Sequence, residues 1–334
     1  MSEFLATIVI PNYNGLRWLP RLMESLAAET ESRMRIIVVD DASTDDGTAF
    51  LAGQWPDVTL IRNERNLGFA ASCNIGLRTA VTPYVVLLNN DTHVEPNWLA
   101  EGLRPFDSPD VGAVASLVLL AAPPHLIDTA GDVYSVAGGA VKRQHLRRRE
   151  TAEQLDPAVF SPCGASAFYR REALASVGLL DERFESYYED VDLGFRLAWA
   201  GYRCIFAPAS VCYHHLSASY NPRGWRYHFN SARNAEIVWL VNMPSRLRRR
   251  YFPAHLAFLT LQAASKLRQG CLRPYLAGKW AVLREIAAIN EKRAHIARLA
   301  QVSDERIKSL LIRDWWRLHV GSRFAESDER EGCG

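Results

Sequence analysis

Tyr84-Val85-Val86-Leu87-Leu88-Asn89-Asn90-Asp91 is an apolar run that stops abruptly on two amides and a carboxylate, and its reading decides the fold. A strand buried on both faces reads as such a run, and its last polar residues arrive at the rim of the sheet, where open α/β folds bind their ligands. The same device occurs in Ile36-Ile37-Val38-Val39-Asp40-Asp41, and Tyr187-Tyr188 leads into Glu189-Asp190-Val191-Asp192. Three acidic termini converging on one rim would hold a divalent cation and a phosphate-bearing ligand. That pattern points to an enzyme.

Outward from this stretch, strand and helix alternate. Ala6–Ile10 is β-branched and closed by Pro11-Asn12-Tyr13-Asn14-Gly15, a strand and turn. Leu16, Leu19, Leu22, Met23 and Leu26 recur at helical spacing, and Arg35–Val39 is strand-like. Ser43 or Thr44 is expected to cap a helix through Gln54, with Asp45 and Asp46 in its first turn. A strand over Val58–Ile61, a loop over Asn63–Gly68, a helix over Phe69–Thr79 and the strand Tyr84–Leu88 follow. Such alternation predicts a mostly parallel sheet with helices on both faces, and right-handed crossovers would bring every strand's carboxyl end to one rim.

Val111–Leu120 reads as a further strand, Ala121–Pro157 as a hairpin with basic residues on its descending arm, and Phe160–Tyr169 as a return to the sheet. Short helices end at Gly178 and Gly201, Tyr202–Phe206 and Val211–Tyr213 are strand-like, and Tyr227–Val241 is helical. A composition shift between Asn242 and Ser245 opens a tail, whose helices, rich in Leu, Ala and Arg, run to about His319.

Composition narrows the function class. With 48% hydrophobic and 23% charged residues in 334, the chain is an ordinary globular protein with a sizeable core. A net charge of only +2 argues against an electrostatic nucleic-acid binder. Two basic clusters, Lys142, Arg143, Arg147, Arg148 and Arg149, and Arg246, Arg248, Arg249 and Arg250, are each suited to an anionic surface. The six cysteines form no C-x-x-C pair, so neither a zinc site nor a disulfide framework is indicated and a reducing cytoplasm is expected. The first strand begins almost at once, with no leader pattern, and no run reaches the ~20 apolar residues of a spanning helix. Arg246–Arg250 followed by Tyr251, Phe252, Leu256, Phe258, Leu259 and Leu261 suits either a membrane interface or packing on the main domain.

Several residues carry chemistry. Asp91 is either a helix cap or turn residue ahead of Pro96 or a ligand for Mg²⁺ or Mn²⁺, whose shell a ligand's phosphates complete. Of Asp40 and Asp41, one is expected to cap a helix and the other to face a ligand; a dinucleotide site is argued against because the first turn has one glycine where three are needed. Glu189 and Asp190 are like charges beside tyrosines, which raises one pKa and makes a base for a hydroxyl proton. His214-His215 ends a strand, as a structural pair or with one imidazole completing the cation shell. Cys163, Gly164 and Ala165 form a small-residue loop, either an ordinary tight turn or a place where backbone approaches a ligand closely.

Ile8-Val9-Ile10-Pro11-Asn12-Tyr13-Asn14, Val38 through Asp45, Arg62 through Asn74, and Leu87 through Asp91 together resemble the nucleotide half of a family 2 glycosyltransferase of the GT-A fold. Gly178 through Phe184, Tyr187 through Leu193, and Tyr213-His214-His215 are similar to its acceptor half, in particular to the bacterial rhamnosyltransferase-like branch. The resemblance implies a catalytic domain over 1–244, with a nucleotide-binding half (1–105) and an acceptor-binding half (106–244), and a basic helical extension over 245–334. It implies that Pro11, Asn12, Tyr13 and Asn14 cradle the nucleotide, that Asp40 meets a pyrimidine base, and that Asn66, Gly68, Asn74 and Asn90 belong to the nucleotide side. Asp91 and His214 would hold Mg²⁺ or Mn²⁺, and Asp190 would be the general base, with Glu189 beside it. Asn89-Asn90 departs from the family's usual acidic pair.

The implied activity is inverting transfer from a UDP- or dTDP-sugar, with rhamnose favoured, to a hydroxyl of a cell-surface glycan or its polyprenyl-linked precursor. With the cysteine usage, the expected place is the cytoplasm and, in the membrane reading of the tail, the inner face of the cell membrane. A nucleotidyltransferase would need a glycine-rich, lysine-bearing opening loop that is missing here, and a non-catalytic nucleotide-sugar or glycan module would fit a decayed Asn89-Asn90 motif.

Overall fold

The computed structural model describes residues 4–216 and 224–317; the expected end of the tail near His319, and Cys333, lie outside the described residues. Its strands are β1 (Ala6–Asn12), β2 (Met34–Asp40), β3 (Thr59–Arg62), β4 (Tyr84–Leu88), β5 (Thr92–Val94), β6 (Val111–Leu120), β7 (Ile127–Thr129), β8 (Asp132–Tyr134), β9 (Ala140–Lys142), β10 (Ala158–Val159), β11 (Ser166–Arg170) and β12 (Arg203–His214). Its α-helices are α1 (Leu19–Ala27), α2 (Gly47–Gln54), α3 (Phe69–Thr79), α4 (Trp98–Leu103), α5 (Arg171–Val177), α6 (Glu189–Trp199), α7 (Trp225–Asn242), α8 (Ser245–Arg268), α9 (Leu272–Leu283), α10 (Ile286–Leu299) and α11 (Asp304–Ser309).

The β1–β4 half forms for the reason its sequence suggests. Along β1, Ile8 and Ile10 face Leu19, Leu22, Met23 and Leu26 of α1, while Val9 faces Ala70, Cys73 and Leu77 of α3. Alternation along the strand therefore feeds two cores, one on each face of the sheet. Each large side chain removed from water there contributes about 1.5–3 kcal/mol. A Cβ on Gly76 would lie 2.3 Å from Val9 Cγ1, so the glycine lets α3 rest directly on β1.

The main sheet has the order β10-β12-β6-β11-β4-β1-β2-β3. Strands β1 to β4 are mutually parallel, and β6 and β12 are parallel to each other. Not every carboxyl end reaches one rim, however: β11 runs antiparallel to both β4 and β6, and β5, β7 and β10 also run against their neighbours. The reversal matters for the site. Pairing Ser166 with Leu88 makes the Cys163-Gly164-Ala165 loop enter the sheet where β4 leaves it, and Asn89 N donates to Ala165 O at 3.0 Å.

Three further expectations are corrected. Helix α2 starts at Gly47 after Asp46, so Ser43 and Thr44 do not cap it and Asp45 and Asp46 are outside its first turn. Ser43 Oγ instead accepts from Asn14 N (2.9 Å), and Asp45 accepts from Leu16 N (2.9 Å), tying the turn after β1 to the turn after β2. The two strand-like segments after Gly201 join into the single strand β12, irregular between Ala207 and Val211.

The tail packs on the main domain. One core cluster joins Leu247, Val282, Ile289, Ile296 and Ile307 to Phe184, Val191, Phe195 and Trp199, so the core continues across the 244/245 boundary. Among the described residues no helix is long and apolar enough to cross a membrane.

Candidate active site

At the ends of β1, β2 and β4 the polar residues form a directed chain. Asn90 Nδ2 donates to Asn12 Oδ1 (2.8 Å), Asn12 Nδ2 donates to Asp40 Oδ1 (3.0 Å), and Ser43 N donates to Asp40 Oδ2 (3.1 Å). Asn12 and Asp40 are buried, and Pro11 with them, whereas Tyr13 and Asn14 are exposed at the rim. Gly15 packs on this chain so closely that a Cβ would sit 2.1 Å from Asn12 Oδ1 and 2.2 Å from Asn90 Nδ2.

Asp41 caps no helix. Its carboxylate accepts from Asn63 Nδ2 (2.8 Å), Leu67 N (2.8 Å) and Gly68 N (2.9 Å), which shapes the loop that presents Asn66 to solvent. Gly68, at φ +90°, turns that loop into α3. Asn74 is placed differently from the nucleotide-side expectation. It is buried, and its amide is taken up by Leu180 N and O (3.0 and 2.8 Å) and Glu182 Oε1 (2.9 Å), which leaves both ends committed to the Leu180–Glu182 segment.

Asp91 follows β4, and the pairing of β5 with β12 sets His214 opposite Thr92. His214 Nε2 lies 3.3 Å from Asp91 Oδ1, and its Nδ1 lies 3.0 Å from Oδ2 of the buried Asp128. Lys142 Nζ contacts both oxygens of Asp128, at 2.6 and 2.8 Å. The result is a row of alternating charge from Asp91 through His214 and Asp128 to Lys142. Burial alone would push the His214 imidazole down, but its bonds to Asp128 and Asp91 leave it raised to about 9. Asp128, despite its burial, is held below the usual carboxylate range by Lys142 and His214. The neighbouring His215 turns away and lies against Trp18, with ring centroids 4.5 Å apart.

This pair fits a divalent cation. Two adjacent ligands at ~2.1 Å in an octahedral shell are about 3.0 Å apart, close to the Asp91–His214 separation of 3.3 Å. Asp128 on Nδ1 is the carboxylate–histidine support that orients metal-bound imidazoles. Among the described residues no group of three or more His, Cys, Asp and Glu side chains is placed to hold a metal, so a bound ion would take its other ligands from the donor diphosphate and water.

The segment leading into α6 is built on strained backbone. Glu185, Tyr187 and Tyr188 have φ of 59°, 72° and 72°, and such conformations persist only where the surroundings enforce them. Asn234 of α7 does so here: its buried Nδ2 donates to Phe184 O (2.9 Å), Ser186 O (3.0 Å) and Tyr187 O (2.8 Å). The segment then enters α6, and Asp190 in its first turn accepts from Gly164 N (3.0 Å) and Val191 N (2.8 Å). Glu189 is buried, with Oε2 lacking a hydrogen-bond partner, while Asp190 keeps partial exposure.

Geometry thus separates two carboxylates that the sequence left equivalent. Burial raises both, helped for Glu189 by the Asp190 charge and countered for Asp190 by the N–H groups of Gly164 and Val191. Asp132, paired across the hairpin with Lys142, is likewise pushed up by burial and by Asp190. Asp192 is structural: it bonds Arg196 Nε (2.9 Å), Lys292 Nζ (2.8 Å) and Asn242 Nδ2 (2.9 Å).

The sequence profile of "Glycosyl transferase family 2" matches residues 7–178, from β1 to the end of α5. The chain belongs to this family. The transferase is 30% identical over 228 residues to the O-antigen biosynthesis protein RfbC of Myxococcus xanthus, which covers 64% of this chain but 17% of that protein. It is 27% identical over 243 residues to the N-acetylglucosaminyl-diphospho-decaprenol L-rhamnosyltransferase of Mycobacterium tuberculosis, covering 66% of this chain and 78% of that one.

Among solved structures, the transferase is similar in fold to GalNAc-T7 with UDP, GalNAc and Mn²⁺, with a TM-score of 0.60 and 15% identity over 85% of this chain and 57% of that one. It is also similar to the mannosyltransferase PcManGT of Pyrobaculum calidifontis with GDP-Man and Mn²⁺, with a TM-score of 0.53 and 19% identity over 88% of this chain and 84% of that one. These likenesses establish the GT-A fold with its C-terminal helical region.

Four site residues escaped the sequence reading. Asp128, Asp132 and Lys142 lie where periodicity fails, with Lys142 grouped among surface cations, and Asn234 sits inside a helix. The weak signal was Asp128-Thr129-Ala130-Gly131-Asp132, two carboxylates around a glycine.

Proposed function

We propose that the transferase is an inverting enzyme that moves a sugar, rhamnose or one like it, from a UDP- or dTDP-linked donor to a hydroxyl of a cell-surface glycan or its polyprenyl-linked precursor. The observation that carries this reading is that Asp190, partly exposed and bonded to Gly164, faces the loop that enters the sheet beside Asp91 and His214. The Mycobacterium relative, named as an L-rhamnosyltransferase acting on a decaprenyl-linked acceptor, supports the choice of donor and acceptor.

In this reading the nucleotide lies over the Pro11–Asn14 turn, with Asp40 toward its base and Asn66 and Gly68 at the loop beside it. Asp190 removes the proton of the acceptor hydroxyl as that oxygen bonds to the anomeric carbon, and the bond to the diphosphate oxygen breaks on the opposite face. The Gly164 N–H holds Asp190 in place, and the raised pKa makes its carboxylate a stronger base than a free aspartate. When bound through Asp91 and His214, Mg²⁺ or Mn²⁺ would supply positive charge to the departing diphosphate.

A thermal-shift panel of UDP-, dTDP- and GDP-sugars with and without Mn²⁺ tests the donor site, because a ligand of the folded state raises its melting temperature. Stabilisation by UDP or dTDP compounds that grows with Mn²⁺ is expected. Stabilisation by GDP compounds alone would overturn the assignment of Asp40 to a pyrimidine. Nucleoside diphosphate release that depends on a lipid-linked glycan tests the acceptor.

A further inference from the structure

From Ile237 to Arg284 the chain contains nine Lys and Arg residues and no Asp or Glu, although the whole chain's net charge is only +2. This segment comprises most of α7, all of α8 and α9, and the turn leading into α10. Arg246, Arg249, Arg250, Arg268, Arg273 and Arg284 are exposed along it.

The same helices expose apolar side chains that a buried core would claim. Leu276, Trp280 and Leu283, 50%, 64% and 57% exposed, stand at i, i+4 and i+7 on α9 and so form one outward stripe. Phe252 and Leu256, 49% and 47% exposed, form a second stripe on α8. Phe252 and Ile286 line a groove of about 460 Å³ edged by Arg248 and Arg249, and Leu283 lies three residues before Ile286. The groove therefore links the two stripes. The opposite faces of these helices are occupied: Leu247, His255 and Phe258 of α8, and Tyr275, Gly278 and Val282 of α9, are buried.

We infer that the outer face of α8, α9 and the start of α10 docks on an anionic lipid bilayer, with Trp280, Leu283, Phe252 and Ile286 entering the headgroup region and the arginines meeting lipid phosphates. Arginine charge selects an anionic surface, and tryptophan is the side chain best suited to the interface between water and hydrocarbon. A protein partner would have to match a segment in which nine Lys and Arg residues stand against no Asp or Glu and be strongly acidic, whereas an anionic bilayer supplies that charge with no specific fit. This inference extends the proposed use of a lipid-linked acceptor and is tested apart from it.

The experiment is flotation of the full chain with vesicles of neutral phosphatidylcholine or of phosphatidylcholine with phosphatidylglycerol. Strong binding to the anionic vesicles alone is expected, reduced when salt is raised from about 0.1 M to about 1 M. Each arginine near the surface contributes about fivefold to binding, so the triple variant R249E, R273E, R284E should lose at least about 100-fold. The pair W280S and L283S should also release the protein while leaving its melting temperature and its nucleoside diphosphate release with a soluble acceptor unchanged. Equal binding to neutral vesicles, variants that float like the parent, or a concentration-dependent dimer dissolved by W280S would each overturn the inference. Flotation without transfer would count against the proposed reaction and leave this surface standing.

Discussion

Replacing Asp190 with asparagine separates the charge of this residue from its shape. The carboxylate accepts from Gly164 N at 3.0 Å and Val191 N at 2.8 Å, and an amide oxygen can keep one of these bonds. Loss of the other costs about 1 kcal/mol at any pH. Loss of the base is far larger: general-base catalysis is worth about 10²–10⁴-fold, so turnover should fall by that factor while donor binding, which does not involve Asp190, is kept. Stability should move the other way as pH rises. Burial raises the Asp190 pKa, so the folded protein carries no penalty from this group below the unfolded-state value and acquires the full penalty as pH climbs through the folded one. Each unit of that rise is worth about 1.4 kcal/mol. The asparagine variant lacks the penalty and also spares Glu189 and Asp132 a like charge. Its melting temperature relative to the parent should therefore become more favourable as pH rises above the unfolded-state carboxylate range, and so be more favourable at about pH 8 than at about pH 4.5. The assays are nucleoside diphosphate release and thermal melts at both pH values. Near-normal turnover would remove Asp190 from the role of base, and a melting difference independent of pH would refute the charge argument.

Other perturbations probe the rest of the site. D128N should weaken Mn²⁺ binding in the presence of UDP by about 10–100-fold, measured by titration calorimetry, because His214 loses the carboxylate that orients it; unchanged affinity would show that Asp128 does not support the imidazole. N234A should lower stability by about 2–4 kcal/mol in denaturant melts, since three carbonyls lose their donor and the strained turn before α6 is released. A smaller loss would mean that the Glu185–Tyr188 turn holds itself. N90D should cost about 1–3 kcal/mol and weaken UDP binding, because it sets a carboxylate against Asn12 Oδ1; a gain in metal-dependent UDP affinity would contradict that network.

The legible parts of the fold are those in which burial and periodicity coincide. The span Phe69–Thr79 for α3 and Val111–Leu120 for β6 agree with the structure to the residue, because glycine or loop residues bound an apolar pattern there. Strand direction leaves no such mark: Ser166–Arg170 has the same composition whether parallel or antiparallel to β4, and only the path of the chain through residues 121–165 decides it. Asp128, Asp132 and Lys142 were hidden for a related reason, since a hairpin's polar residues look solvated until another element covers them. Asn234 looks like any helix-surface amide in sequence, and its partners are turn carbonyls nearly fifty residues earlier in the chain. Trp280 was obscured in the opposite sense, because leucine and tryptophan at helical spacing suggest a core, and here that stripe faces outward.

The amides Asn89-Asn90 invited a reading of the chain as a binding module whose acidic motif had decayed, and the hydrogen bonds around Asn90 argue against it. Position 90 has a directional task. Asp40 can only accept, Asn12 therefore turns its amide nitrogen toward Asp40, and its oxygen is left to face residue 90, which must donate. Asparagine meets that requirement and an ionised aspartate does not. A decayed motif would leave its former partners without such a relation, whereas here the amide at position 90 is matched by the hydrogen-bond direction at Asn12, which supports a working donor site.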